Sequence, residues 1–160
     1  MGVYASANSS GGHLNPAVTI ALAASGKFPW ADVPSYIIAQ LLGAAIGAVL
    51  AWLTYLQHFE VTADPESKLG VFCTIPAIRS PLANFLTECI ASFVFILAVL
   101  GLAKPESNLG SLDALPVALV VLGIGLSLGG PTGYAINPAR DLVPRLMHTL
   151  LPIPGKGKSD

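Results

Sequence analysis

The sequence places asparagine before Pro-Ala twice, at Asn15 and at Asn137. Asparagine is a preferred N-cap and proline is preferred at the first helical position, so each unit predicts a helix start. As a cap, the asparagine accepts a backbone N–H through its side-chain oxygen, which leaves its NH₂ group pointing away from the helix as a fixed donor. Each helix N-terminus also carries roughly half a positive charge. Two such ends that meet would form a centre that repels cations and offers two amide donors.

Charged side chains follow only the second unit. Arg140 stands three residues after Asn137, where the first unit has Val18, so only one of the two helix starts carries a charge. An arginine in an apolar context is costly enough that it should find acceptors, although a surface position just past a helix start is the alternative. Asp141 and Arg145 are spaced i, i+4 and can pair. Asp141 can also complement the helix dipole, and both roles can hold together.

The elements that must position these residues have the composition of a membrane protein. Of 160 residues, 53% are hydrophobic and only 11% are charged, against about 25% charged in an ordinary soluble domain. A net charge of −1 gives no indication of a nucleic-acid partner. Cys73 and Cys89 lack the spacing of metal ligands, so we expect no metal and no cofactor.

Three apolar runs are candidate membrane spans. Residues 33–56 and 82–103 are long enough for a hydrocarbon core of about 30 Å, which takes about 20 helical residues. The third run, residues 114–130, is marginal, and we expect its helix to reach into the glycine-rich stretch after Leu128. The segments between these runs, and the tail after Leu151, are predicted to be polar linkers.

The two apolar segments that follow Asn-Pro-Ala are too short to cross a bilayer. Residues 16–25 and 138–150 would be roughly 15 Å and 20 Å long as helices. Short apolar helices opened by glycine-rich backbone, in corresponding positions of two halves, indicate a site at the membrane midplane. Irregular backbone is tolerated at that depth only where it is buried in protein or faces a water-filled cavity. One Asn-Pro unit alone would be an ordinary helix start, whereas this pair predicts a pore or a midplane binding site.

Four stretches of the sequence resemble the major intrinsic proteins, the family of aquaporins and glycerol facilitators. They are "SGGHLNPAVTIAL", "GPTGYAINPARDLVPR", "YIIAQLLGAAIGAVLA" and "FLTECIASFVF". The resemblance implies an all-α membrane protein with an aquaporin-like inverted repeat of six spans and two half-helices, assembled as a homotetramer. Residues 1–160 would be a partial channel domain with three full spans and both half-helices. The first span, most of the second and the sixth would be missing.

The resemblance also assigns roles to individual residues. It places Arg140, Gly125 and Tyr134 at the constriction, where Gly125 leaves room and Tyr134 offers an apolar wall. Asp141 after the arginine resembles the glycerol branch of the family. The implied acceptor track consists of the backbone carbonyls of Gly11, Gly12, His13, Gly133, Tyr134 and Ala135. Gln40 and Glu88 are the buried polar residues expected to hold the two loops, and His58 and His148 are expected to be interfacial or loop residues.

The function expected from these features is a passive channel in the cell membrane, multi-pass and not an enzyme. Its partners would be glycerol, other small uncharged solutes, water and the lipid bilayer. A water-selective aquaporin is the first alternative, which Asp141 and Gly125 disfavour. A coupled secondary transporter is the second, and it would require a titratable relay, for which Glu88 is the intramembrane candidate.

Overall fold

A computed structural model describes residues 1–102 and 114–159 of the chain. These residues form eight α-helices and a single 3-10 turn at Trp30–Asp32, and they contain no strand. The all-α class is therefore confirmed. In chain order the helices are α1 (Gly2–Ser10), α2 (Pro16–Ala24), α3 (Val33–Thr54), α4 (Leu56–Val61), α5 (Pro65–Gly70), α6 (Pro81–Leu102), α7 (Ala114–Leu128) and α8 (Pro138–Leu150).

Two of the predicted spans are long apolar helices. The helices α3 and α6 have 22 residues each, and both are long and apolar enough to cross a membrane. The helix α7 is also apolar but has 15 residues. It ends at Leu128, so the expected extension beyond that residue is wrong. The chain turns there, because the Gly133 N–H donates to the Gly129 carbonyl at 2.8 Å, and glycine weakens a helix at such a point.

The two half-helices start where the sequence predicts. Asn15 has extended backbone and its side-chain oxygen accepts the Ala17 N–H at 2.9 Å. Asn137 has the same conformation and accepts the N–H groups of Ala139 and Arg140 at 3.0 and 3.3 Å. Both predicted caps are confirmed, and α2 ends one residue earlier than expected, at Ala24.

The half-helices pack between the long helices. The helix α8 packs along α3, α2 lies against α3 and α6, and α6 packs against α7. A buried cluster between α6, α7 and the start of α8 is formed by Ala91, Phe95, Ile124 and Ile136. The helix α8 packs against α3, and α2 packs against α6. Each half-helix therefore contacts a long helix from the opposite half of the chain.

Two of the three segments predicted to be polar linkers contain or contact a folded core, and the third, residues 104–113, lies outside the described residues. The linker (residues 55–80) contains α4 and α5, and the tail (residues 151–159) folds back onto it. Their shared core contains Phe59, Leu69, Phe72, Cys73, Leu151 and Ile153, together with Ala48 of α3. His148 is fully buried beside this core, so its expected interfacial or loop position is wrong. These apolar residues lie far apart in the sequence, and packing them together removes them from water. The local sequence pattern does not predict this core.

Candidate functional site

The two Asn-Pro-Ala caps meet and exchange hydrogen bonds. The Asn15 NH₂ group donates to the Ile136 carbonyl at 2.8 Å, and the Asn137 NH₂ group donates to the Leu14 carbonyl, also at 2.8 Å. Each acceptor is the residue just before the other asparagine. An amide NH₂ has two protons, so each asparagine can still offer one to a solute. The sequence predicted the outward donors, whereas the crossed bonds between the two loops emerge only from the structure.

Glu88 of α6 holds the loop that precedes α8. Its Oε1 accepts the Thr132 hydroxyl at 2.6 Å and the Ala135 N–H at 3.0 Å, and its Oε2 accepts the Ile136 N–H at 2.8 Å. Hydrogen bonds to an ionised acceptor are about twice as strong as neutral ones. This carboxylate therefore fixes the direction of the second loop from a neighbouring helix.

The conformation of the second loop requires such an anchor. Gly133, Tyr134 and Ile136 all have positive φ, at 80°, 46° and 41°. A non-glycine residue in this region costs about 1–2 kcal/mol. None of the described residues donates a hydrogen bond to the carbonyls of Gly133, Tyr134 or Ala135, so these oxygens of the expected acceptor track keep their capacity to accept.

Gln40 of α3 holds the first loop by donation instead of acceptance. Its Nε2 donates to the His13 carbonyl at 2.5 Å and to the Thr19 hydroxyl at 2.9 Å. The Gly12 carbonyl accepts the Leu14 N–H at 3.0 Å. A carbonyl oxygen has two lone pairs, so Gly12 and His13 each keep one for a solute. In the expected track, the first loop offers less acceptor capacity than the second.

The structure brings Gly125 and Tyr134 into direct contact. A Cβ placed on Gly125 would lie 2.8 Å from Tyr134 Cζ, and one on Gly129 would lie 2.6 Å from Tyr134 Cδ1. The tyrosine ring therefore covers the two glycines of α7. The absence of a side chain at Gly125 leaves room for this ring, and its place at a constriction stays a prediction.

Arg140 lies near the linker and opens onto a cavity. Its Nη1 donates to the Phe72 carbonyl at 3.4 Å. With Asn137, Arg140 lines a cavity of about 670 Å³ that also reaches Gln40 and His13, whereas Gly125 and Tyr134 do not line it. The side chain of Arg140 is exposed, so it can donate to a solute while the linker carbonyl restricts its position.

Asp141 joins α8 to the linker. Its Oδ2 accepts the N–H and the hydroxyl of Thr74 at 2.8 and 2.7 Å, and its Oδ1 lies 2.9 Å from Arg145 Nη2. Arg145 in turn donates to the Thr74 carbonyl at 2.7 Å. The predicted i, i+4 pair is confirmed, and Asp141 also stands in the first turn of α8. Sequence reasoning missed Thr74, which lies 67 residues away, and no local pattern marks it.

Glu88, Asp141 and Arg145 also line a second cavity, of about 520 Å³, between α6 and α8. The carboxylates in it are occupied by backbone, hydroxyl and guanidinium donors. Within residues 1–102 and 114–159, no group of three metal-ligating side chains is brought together. What these residues offer chemically is a set of hydrogen-bond donors and acceptors.

Comparison with known proteins relates this geometry to one family. The family model described as Major intrinsic protein matches residues 1–152. A probable glycerol uptake facilitator protein of Thermotoga maritima is 57% identical over 160 residues, which are all of this chain and 68% of that protein. The glycerol uptake facilitator protein of Bacillus subtilis is 54% identical, and the chain spans 58% of its length.

A solved structure shares the fold. The X-ray structure of the aquaglyceroporin from Plasmodium falciparum superposes with a TM-score of 0.76 at 31% identity, over 91% of this chain and 60% of that one. The chain thus corresponds to about 58–68% of the length of these proteins.

Proposed function

The chain belongs to the major intrinsic protein family, and from that premise we propose that it forms part of a passive channel for glycerol and similar small uncharged solutes, with water as a co-permeant. The relatives named as glycerol uptake facilitators support the choice of solute. Because the chain spans only part of their length, the proposal refers to a full-length channel, in which this chain is joined to the further spans that such a length provides.

The observation that carries the proposal is the meeting of the two caps. Asn15 and Asn137 bring two helix N-termini together, and each keeps one amide proton for a passing molecule. The paired dipoles oppose a cation. An uncharged solute can replace its lost water contacts with these donors, whereas an ion would lose a hydration shell that the site does not rebuild.

We propose that Arg140, Tyr134 and Gly125 form the constriction. A glycerol molecule has carbons along one edge and hydroxyls along the other. In this proposal the Tyr134 ring packs against the carbons, and Arg140 donates to the hydroxyl oxygens. The hydroxyl protons go to the carbonyls of Gly133–Ala135, which no described residue occupies. The contact between the Tyr134 ring and Gly125 fixes the position of this apolar surface.

The contacts of Glu88 favour a passive channel over a coupled transporter. A proton relay needs a carboxylate that can exchange protons with a neighbouring acid or base. Glu88 instead accepts three hydrogen bonds from the second loop. We therefore assign Glu88 to loop positioning and not to proton transfer.

We also propose that the channel lies in the cell membrane as a multi-pass protein and assembles as a homotetramer. The helix α3 exposes Ile38, Leu42 and Ile46 along one face, and α6 exposes Phe85 and Phe93. Such apolar faces are stable against lipid or against another copy of the chain, but costly in water.

A flux measurement tests the proposal. The full-length channel in liposomes is expected to pass glycerol and water down their gradients in stopped-flow light scattering, at rates that an imposed proton gradient leaves unchanged. Liposomes without protein give the background. Accumulation of glycerol driven by the proton gradient would identify a coupled transporter, and water flux without glycerol flux would identify a water-selective channel.

A further inference from the structure

The tail is held on α8 by a lysine that caps the helix. Lys156 Nζ donates to the carbonyls of His148, Thr149 and Leu151 at 2.9, 2.6 and 2.8 Å. These belong to the last turn of α8 and its C-cap, where helix carbonyls have no intrahelical donor. The tail thus supplies the positive charge that the negative end of the helix dipole favours.

A second lysine fixes the tail to the linker. The side chain of Lys68 on α5 is buried, and its Nζ donates to the Pro154 carbonyl. Leu151 and Ile153 are buried in the core that the tail shares with the linker. The linker side of this core includes Cys73, which is 2% exposed.

His148 joins α8 to Ser159 of the tail. Its side chain is fully buried, and its Nδ1 lies 2.7 Å from the Ser159 hydroxyl. Its Nε2 is also buried, without a hydrogen-bond partner among residues 1–102 and 114–159. The Phe72 ring packs edge-on against the imidazole with centroids 5.4 Å apart. The pocket thus accommodates a neutral imidazole with one hydrogen bond.

Among residues 1–102 and 114–159, the charged groups that act on His148 are the cations Arg145 and Lys156. Arg145 lies on α8 and donates to the Ser159 carbonyl at 3.4 Å, and Lys156 lies on the tail. The carboxylate of Asp141 is already paired with Arg145. From the linker, Lys68 adds a further cation to the tail, whereas Glu60 of α4 and Glu66 of α5 are exposed. The helix α3, which packs along α8, has no charged residue.

A proton on His148 would therefore be poorly accommodated. The imidazolium would bury an Nε2–H without an acceptor, and Lys156 already occupies the helix carbonyls that could have stabilised it. His148 lies in the last turn of α8, beside the linker and the tail and outside the spanning helices. Burial, with Lys156 and Arg145, lowers the pKa of His148 below its ordinary value of 6.5.

We propose that His148 is an acid-sensitive latch whose neutral imidazole holds the tail on α8 through Ser159, and whose protonation releases the tail. The closed tail disfavours the proton, whereas an open tail exposes the imidazole to water. By linkage, the closed state is fully stable above about pH 6.5 and loses stability as the pH falls below it.

The latch connects to the constriction through hydrogen bonds. Arg145 donates both to the Ser159 carbonyl and to the Thr74 carbonyl. Two residues before Thr74, the Phe72 carbonyl accepts a hydrogen bond from Arg140. Release of the tail removes the first of these contacts. This step rests on the proposed function, and it predicts that glycerol flux falls at acid pH while the latch is open.

Cys73 provides a readout that does not depend on flux. The full-length channel, with Cys73 as its single cysteine, is labelled in liposomes with a water-soluble maleimide between pH 8 and pH 5. Each rate is divided by the rate for glutathione at the same pH, because thiolate formation itself depends on pH. We expect a constant ratio above about pH 6.5 and a rise of roughly tenfold or more towards pH 5.

Three variants separate the latch from general acid effects. His148→Asn cannot titrate but can still bond Ser159, so its labelling ratio should stay flat. Ser159→Ala lacks the bond and should label faster already at pH 8. His58→Asn, which changes an exposed histidine on α4, should keep the original pH profile.

The results separate the latch from the proposed function. A constant labelling ratio down to pH 5, or the same rise in His148→Asn, would overturn the latch. If His148→Asn labels fast at pH 8 because its packing is lost, an unchanged profile in Ser159→Ala would overturn it instead. Absence of glycerol flux at pH 8 would overturn the proposed function and leave the labelling result intact. Acid-induced labelling without a change in flux would remove only the link to the constriction.

Discussion

Asn15 and Asn137 both cap their half-helices through the side-chain oxygen, but the two loops before them are held by opposite chemistry. Gln40 anchors the first loop by donating to the His13 carbonyl and the Thr19 hydroxyl. Glu88 anchors the second loop by accepting three hydrogen bonds, two of them from backbone N–H groups. Gln40 therefore fixes a backbone carbonyl of the first loop, whereas Glu88 fixes backbone N–H groups of the second.

The backbone conformations follow this difference. In the first loop the positive φ angles fall on Gly11 and Gly12, both at 71°, where glycine adopts them without strain. In the second loop Tyr134 and Ile136 adopt positive φ as well, at about 1–2 kcal/mol each. A repeated sequence signal is thus enough to start two helices, but the shape of each loop depends on a residue from another helix. The second loop depends on its anchor more strongly.

Replacing the anchors gives the largest expected effect. Glu88→Leu leaves three donors without acceptors, each costing about 1–3 kcal/mol if it stays buried, so the thermal midpoint and the yield of folded channel should drop sharply. Gln40→Leu leaves only acceptors unpaired and should cost less. Equal destabilisation by the two substitutions, measured by thermal unfolding in detergent, would contradict the comparison.

Glu88→Gln sharpens the same test. Its amide oxygen can keep the Thr132 and Ala135 bonds, while its NH₂ group faces the Ile136 N–H, so we expect an intermediate loss. Glycerol flux per folded channel should fall less in Glu88→Gln than in Glu88→Leu. Equal loss of flux in two well-folded variants would instead indicate a charge-dependent relay.

The part of this site that sequence predicts is the part encoded locally. The caps at Asn15 and Asn137 and the Asp141–Arg145 pair depend on residues two to four positions apart, and the structure places them as expected. Family resemblance was needed to single out Glu88, because its partners lie 44 to 48 residues away.

Other contacts had no signal in the sequence at all. Thr74 and Phe72 contact α8 from a segment that was predicted to be a polar linker. The burial of His148 depends on a proline-rich tail that folds back. Arg140 and Arg145 donate to the carbonyls of Phe72 and Thr74, and Asp141 accepts the Thr74 N–H. Nearly every residue has these backbone groups, so composition and periodicity do not mark such contacts.

The second largest effect is expected from the charge that only the second half-helix carries. Arg140→Val places a valine in α8 at the position where α2 has Val18. We expect this substitution to raise the leakage of protons or cations. A unit charge acting over about 4 Å is worth about 4 kcal/mol at an effective dielectric constant of 20. Leakage is measured with a pH-sensitive dye inside liposomes, with Arg140→Lys as the control that keeps the charge. Proton conductance that stays unchanged in Arg140→Val would remove Arg140 from the barrier.

A smaller effect is expected where Asp141 joins α8 to the linker. Thr19, at the matching place in α2, contacts Asn15 and Gln40 instead, and within the described residues it makes no bond to the linker. Asp141→Asn keeps one oxygen but loses the charge that Thr74 and Arg145 share. The loss should be about 1–3 kcal/mol of local stability. Hydrogen exchange of the Thr74 amide should become faster, while the amides of α2 keep their rates. Unchanged exchange at Thr74 would show that Arg145 alone fixes the linker.

The smallest expected effect concerns the ring that only the second loop carries, because Gly12 stands where the second loop has Tyr134. A methyl group on Gly125 would lie 2.8 Å from Tyr134 Cζ, so Gly125→Ala must displace the ring by several tenths of an ångström, a strain of about 1–3 kcal/mol at most.

If that ring is the apolar wall for the carbon edge of glycerol, Gly125→Ala should lower glycerol flux by a few-fold and water flux by less, measured on one vesicle preparation. Gly123→Ala is the matched control, because a Cβ on Gly123 meets nothing within 4 Å. If glycerol flux and water flux fall by the same factor, the constriction lies elsewhere. The two loops would then differ in how they are anchored but not in which solutes they select.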